Sequence, residues 1–192
     1  MTDVHVAAVA GSLRDDSATR RAIRPALDAA ADHGATTDTI DLRDLDLPPL
    51  DPEAAPTEGA EELTRRVRTA DSVLLGTPMY HGSYSSTIKL ALDHCGFDEF
   101  EETTVGLLAV SGGAFPLTAL DHLRSVCRAL NAWVLPHQAA VPHAGEQFDD
   151  EGGFVDERLE ERARVLGRRA VEYAHIEPEP PNPESLENVG AE

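Results

Sequence analysis

The chain has 192 residues, 41% of them hydrophobic, which suits one domain with a sizeable core and argues against a disordered chain. Thirty-five acidic residues against 16 basic ones give a formal charge of −19, which argues against binding to nucleic acid or to an anionic membrane. Cys95 and Cys127 are the two cysteines, far apart and outside any CxxC pair, so neither a disulfide framework nor a cysteine-rich metal site is expected.

No apolar run approaches the roughly 20 residues that a membrane span needs. The opening MTDVHVAAVAGS lacks the basic n-region of a signal peptide, so a soluble, cytoplasmic protein is expected. Lys89 is the one lysine, and the acids are dispersed through every segment rather than clustered. Such dispersal suits a cytoplasm of molar salt, where the Debye length falls to about 3 Å and self-repulsion is screened. A halophilic protein is therefore predicted.

Strand-like and helix-period segments alternate along the chain, the pattern of a parallel sheet with helices on both faces. Residues 4–10 are nearly all apolar and predict a buried first strand. Residues 17–33 predict a helix with Ala22, Ala26 and Ala30 on one face, kinked or shifted by Pro25 and stopped at Gly34. Residues 36–42 predict the second strand. The proline-rich stretch 43–56 predicts a long irregular connection, a candidate interface element. Thr57 with Glu58 and Glu61 opens a helix that runs to about residue 69. Residues 72–76 predict the third strand, 88–95 a helix, 104–110 the fourth strand and 117–130 a helix. A short fifth strand is expected at 132–135, and a last helix from 155 to about 173. Cys127 continues the stripe of Leu120, Leu123 and Leu130, which marks it as a small core residue. The predicted fold is thus α/β, a flavodoxin-like, doubly wound, five-stranded parallel sheet with helices on both faces. It occupies residues 1–176, and residues 177–192, rich in proline and glutamate, predict a disordered tail. The ligand crevice is expected at the carboxyl ends of the first, third and fourth strands.

Three loops follow those strands. In the first, Ser12, Arg14, Ser17, Ala18 and Thr19 combine short hydroxyls, a guanidinium and a helix N-terminus, the groups that hold a phosphate monoester. The same residues also read as an ordinary turn with Ser17 as helix cap. Asp15 and Asp16 sit badly beside a phosphate and are expected to point outward. The second loop contains Gly76, Pro78, Met79, Tyr80, His81, Gly82 and Ser83, with glycines for close backbone approach and an aromatic edge suited to a flavin. Its alternative is Met79 and Tyr80 packed under the loop and His81 in solvent. In the third, Ser111, Gly112 and Gly113 offer exposed amides and the freedom for positive φ, or simply form a flexible turn. Three such loops at the correct strand ends weigh more than any one alone.

The stretches GSLRDDSATR, TPMYHGSYSSTIKLALDH and SGGAF, with the later LNAWVLP, resemble the NADPH-dependent FMN reductases, a family that includes chromate, quinone and azo-dye reductases. The resemblance covers roughly residues 4–141. It implies that Ser12, Arg14 and Ser17 to Thr19 bind the FMN phosphate, that Pro78 to Ser83 contact the isoalloxazine, and that Ser111 to Gly113 border it. It further implies NADPH or NADH as hydride donor and a small acceptor such as flavin, quinone, chromate or an azo compound. A homodimer or homotetramer is implied too, for which the proline-rich loop is a candidate contact. The flavin carries the chemistry, so no catalytic side chain and no metal ligand are expected. Many members have Glu-Tyr-Asn where this chain has Met79-Tyr80-His81, and Pro-Gly where it has Ser85-Ser86. The alternative reading is a flavodoxin-type electron carrier without NAD(P)H turnover, and a flavin-free domain of the same fold is a further one.

Overall fold

Small and β-branched residues build the first strand, β1 (His5–Ala10), and let helices approach both of its faces. The structure, a computed structural model, describes residues 4–176, and the predicted tail lies outside them. β1 pairs in parallel with β2 (Thr36–Asp41) on one side and β3 (Ser72–Tyr80) on the other. β3 pairs with β5 (Thr104–Val110), and β5 with β6 (Trp133–Val141), giving the parallel order β2-β1-β3-β5-β6. A two-residue strand, β4 (Ser83–Tyr84), folds back antiparallel on the end of β3.

Alternate side chains of the central strands feed two cores, as the period of two requires. Val6, Ala8, Ala10, Leu74 and Leu108 meet α1 (Ala18–Asp32) and α6 (Glu157–Glu172) on one face. Ala7, Val9, Val73, Leu75 and Leu107 meet α2 (Glu58–Arg68), α3 (Ser86–Asp93), the short α4 (Phe97–Phe100) and α5 (Leu117–Ala129) on the other. Cys127 is fully buried in this second core, as its helical stripe predicts. α1 and α6 lie so close that a Cβ on Gly167 would stand 1.8 Å from the Ala26 carbonyl oxygen. α1 continues without a break through Pro25.

Two strands run further than expected. β3 extends to Tyr80 because β5 pairs with it as far as Pro78 and β4 takes over from there. β6 reaches Val141 through a break in register: Val105 faces Val134, but Leu107 faces Gln138. That irregularity gives Pro136 a place in an edge strand despite its missing N–H. Among the described residues, no helix is long and apolar enough to cross a membrane.

Candidate cofactor site

The crevice begins with the cross-bracing of the first two loops. Gly11 donates its N–H to the Gly76 carbonyl at 2.8 Å. Ser85 caps α3 and donates its hydroxyl to the Gly11 carbonyl at 2.8 Å, so one serine ties the two loops together. Gly76 is a packing residue: a Cβ there would fall 2.3 Å from Ile23 Cδ1, so its small size serves strand–helix contact rather than ligand approach.

The turn between β3 and β4 is a hairpin with His81 and Gly82 at its centre, both with positive φ (49° and 81°), as the twist of a two-residue hairpin demands. The N-terminal half of α5 props it. Ser83 Oγ shares a 3.0 Å hydrogen bond with His122 Nδ1, and Thr118 Oγ1 donates to Met79 Sδ at 3.6 Å. Ser111 opens the third loop and donates its hydroxyl to the Gly113 carbonyl at 2.6 Å. Neither Gly112 nor Gly113 takes positive φ, contrary to the freedom expected of them, and a Cβ at either would meet only open space.

These three loops surround one cavity of about 500 Å³ at the carboxyl end of the sheet, within the size range of small-ligand pockets. Ser12, Arg14, Ala18, Thr19, Pro78, Met79, Tyr80, Ser111 and Gly112 lie on its wall, so residues from all three loops meet there. Ser17, His81, Gly82, Ser83 and Gly113 do not line it. Ser17 caps α1, accepting the Arg20 N–H at 3.2 Å, so it serves the helix rather than the cavity wall. His81 and Gly82 form the exposed hairpin tip. The half-exposed Tyr80 projects from the same wall rather than packing under the loop.

Asp15 points outward, as expected, and pairs with Arg43 at 3.0 Å. Asp16 is largely exposed as well, but it lies on the cavity rim and pairs with Arg21 at 2.5 Å, because the first turn of α1 brings that guanidinium to it. The farther wall is Ala144, Gly145 and Phe148, contributed by the segment after β6. Phe148 packs on Phe154 with centroids 4.7 Å apart and the rings tilted by 45°, and the Arg21 guanidinium lies 5.9 Å from the Phe148 centroid. No sequence motif marks this segment, and only Phe148 and Phe154 within a polar stretch hint at it.

The charges around the first loop are nearly all matched. Arg20 lies 3.5 Å from Asp41, Arg43 is paired with Asp41 and Asp15, and Arg21 with Asp16. Burial tends to raise the Asp41 carboxyl, yet the hydrogen bonds from Arg43 and the charges of Arg20 and Arg43 outweigh it and hold it below the ordinary carboxylate range. Among the described residues, Arg14 has no ion-pair partner and is exposed on the cavity wall. It supplies an unmatched positive charge at the N-terminus of α1, where the helix dipole also favours an anion.

A parallel sheet of this order, with its cleft beyond the strands' carboxyl ends, defines a flavodoxin-like α/β protein. The fold is shared with an oxidoreductase from Corynebacterium diphtheriae, at a TM-score of 0.71 and 21% identity over 91% of this chain and 98% of that one. It is shared too with the flavoenzyme NAD(P)H:(acceptor) oxidoreductase FerB of Paracoccus denitrificans, at a TM-score of 0.74 and 21% identity over 89% and 97%. Residues 4–146 match the model of the NADPH-dependent FMN reductases, and the chain belongs to that family. It is 34% identical over 123 residues to the FMN-dependent NADPH-azoreductase of Staphylococcus aureus, a stretch covering 63% of this chain and 65% of that protein's length.

Proposed function

We propose that this protein is an FMN-dependent NAD(P)H oxidoreductase acting on a small acceptor. The observation that carries the reading is the convergence of the loops after β1, β3 and β5 on one cavity with an unmatched arginine at its helix end. The residues present fit FMN. The N-terminus of α1, the Ser12 and Thr19 hydroxyls and Arg14 form the phosphate end, and Pro78, Met79, Tyr80, Ser111 and Gly112 form a flat, partly apolar remainder. At Gly112 no Cβ intrudes on the cavity.

FMN held there would supply the redox chemistry for passing electrons from NADPH or NADH to a small acceptor such as a flavin, quinone, chromate or azo compound. The protein's part is binding and orientation. The phosphate end would anchor the cofactor by charge and amides, Pro78 to Tyr80 would contact the ring, and the half-exposed Tyr80 would stand at the open side of the cavity. Ser17, His81, Gly82, Ser83 and Gly113 support these walls from behind or at the rim. No acid–base side chain is assigned a role.

Such a reaction draws on NAD(P)H, which supports a cytoplasmic location. An oligomer fits the same reading: Leu50, half-exposed within the proline-rich connection, lies beside a second, mostly apolar hollow of about 410 Å³. Gel filtration in high salt measures that state, and a monomer would remove it.

The test is purification in molar salt, an absorbance spectrum, and anaerobic mixing with NADPH or NADH. A flavin spectrum that bleaches rapidly is expected. A bound flavin that does not bleach would favour an electron carrier, and colourless protein that takes up no added FMN would remove the cofactor reading.

A further inference from the structure

Arg20 does not line the cavity, yet it gathers the backbone of the loop that does. Its Nη1 donates to the Ser12 carbonyl at 3.0 Å, and its Nη2 donates to the Asp15 carbonyl at 2.7 Å and also to the Arg14 carbonyl. One guanidinium thus holds three carbonyls of a four-residue stretch. In a trans peptide the C=O and the following N–H point in opposite directions. Fixing the carbonyls of residues 12, 14 and 15 on Arg20 therefore directs the N–H groups of Leu13, Asp15 and Asp16 away from it.

Arg20 is itself held. Asp41, at the carboxyl end of β2, lies 3.5 Å from its Nη1, and the two side chains are only 18% and 11% exposed. Arg43 grips the same carboxylate at 2.7 Å and reaches Asp15 at 3.0 Å, closing a bracket around the loop. The Arg20–Asp41 pair, sheltered on both sides, is screened less by salt than surface pairs, so this anchor remains effective in a concentrated electrolyte. Left to themselves, three carbonyl dipoles facing the cavity would repel a phosphate.

We propose that Arg20, anchored on Asp41, is a positioning residue that sets the backbone of residues 12–16 in the conformation that receives the FMN phosphate. The inference rests on the FMN reading above and adds to it a residue with no cofactor contact. Its role is specific to the phosphate, so it predicts a selective loss.

The experiment measures FMN and riboflavin binding to the full-length protein by flavin fluorescence, for wild type, Arg20→Gln, Arg20→Lys and Asp41→Asn. Arg20→Gln should raise the Kd for FMN roughly tenfold or more, since several charge-assisted hydrogen bonds to the loop are lost. Its Kd for riboflavin, which has no phosphate, should stay within about twofold. Arg20→Lys should recover part of the loss, and Asp41→Asn should show the same selectivity more weakly, which keeps the test open if Arg20→Gln fails to fold. Unchanged FMN binding in Arg20→Gln, or equal losses for FMN and riboflavin, would overturn the inference and leave the functional reading standing. Wild-type protein that binds riboflavin and FMN equally poorly would instead bring down the functional reading, and this inference with it.

Discussion

Arg21 and Asp16 meet at 2.5 Å on the wall of the cavity, so a carboxylate stands beside the end proposed for a phosphate and occupies one of its two lining arginines. Removing that carboxylate removes a repulsion and releases Arg21. Asp16→Asn is therefore expected to tighten FMN binding a few-fold in dilute salt, with the gain shrinking in molar salt because Asp16 is largely exposed. Flavin fluorescence titration checks both halves. Weaker binding would mean that Asp16 serves to hold Arg21 in place.

Arg14 is the unmatched cation at the same end. Arg14→Ala should cost roughly tenfold or more in FMN affinity and yield colourless protein after gel filtration. His81→Ala, at the hairpin tip off the cavity wall, should keep its flavin and at most slow turnover. Normal FMN retention by Arg14→Ala would show that the phosphate end is elsewhere.

Among the described glycines, Gly167, where α6 meets α1, leaves the least room for a side chain. A Cβ at Gly167 would stand 1.8 Å from a backbone oxygen, which cannot rotate aside. Gly167→Ala should destabilise the protein by about 3 kcal/mol, the upper end of the usual cost of overpacking. At Gly76 the obstacle at 2.3 Å is the end of the Ile23 side chain, so Gly76→Ala should cost less. Urea denaturation of both variants in high salt gives the order, and a reversed order would contradict this account.

Burial pushes both thiols up to about 12 from an ordinary 9.0, with Glu99 adding to the effect at Cys95. The protonated thiols contribute stability that is fully present below about pH 9 and is lost as the pH rises toward 12, because the unfolded chain ionises first. Denaturation midpoints should fall over that alkaline range. Iodoacetamide at pH 8 should leave the fully buried Cys127 unmodified in the native protein and alkylate it after denaturation. Rapid labelling of native Cys127 would refute its placement.

A formal charge of −19 on 192 residues makes self-repulsion the dominant long-range term. Salt also weakens surface ion pairs, but these contribute little individually. The melting temperature should therefore rise from dilute buffer to molar salt. Equal values in the two would remove the halophilic reading.

Much of the architecture could be read before any coordinates. The apolar run of β1, the Ser17 cap of α1, the Thr57 cap of α2 and the stripe through Cys127 are local patterns, and local patterns survive folding when tertiary contacts agree with them. The extensions of β3 and β6 could not be read this way. Pro78 and Pro136 argue against strand, and only pairing with β5 overrides that preference. The hairpin at His81-Gly82 was legible as a glycine-containing loop but not as a two-strand turn, since its partner is two residues long.

The site divides along the same line. Residue types and their order along the chain determined which loops carry phosphate-binding and ring-binding groups, because hydroxyls, an arginine and glycines keep their chemistry wherever they are placed. Which of those groups share a wall was decided only in three dimensions. Asp16 paired with Arg21 on the cavity wall, Arg20 reached back to three carbonyls, and Phe148 arrived from the segment after β6. The physical reason is range: side-chain chemistry is a property of one residue, whereas a cavity wall is set by contacts between segments far apart in the chain.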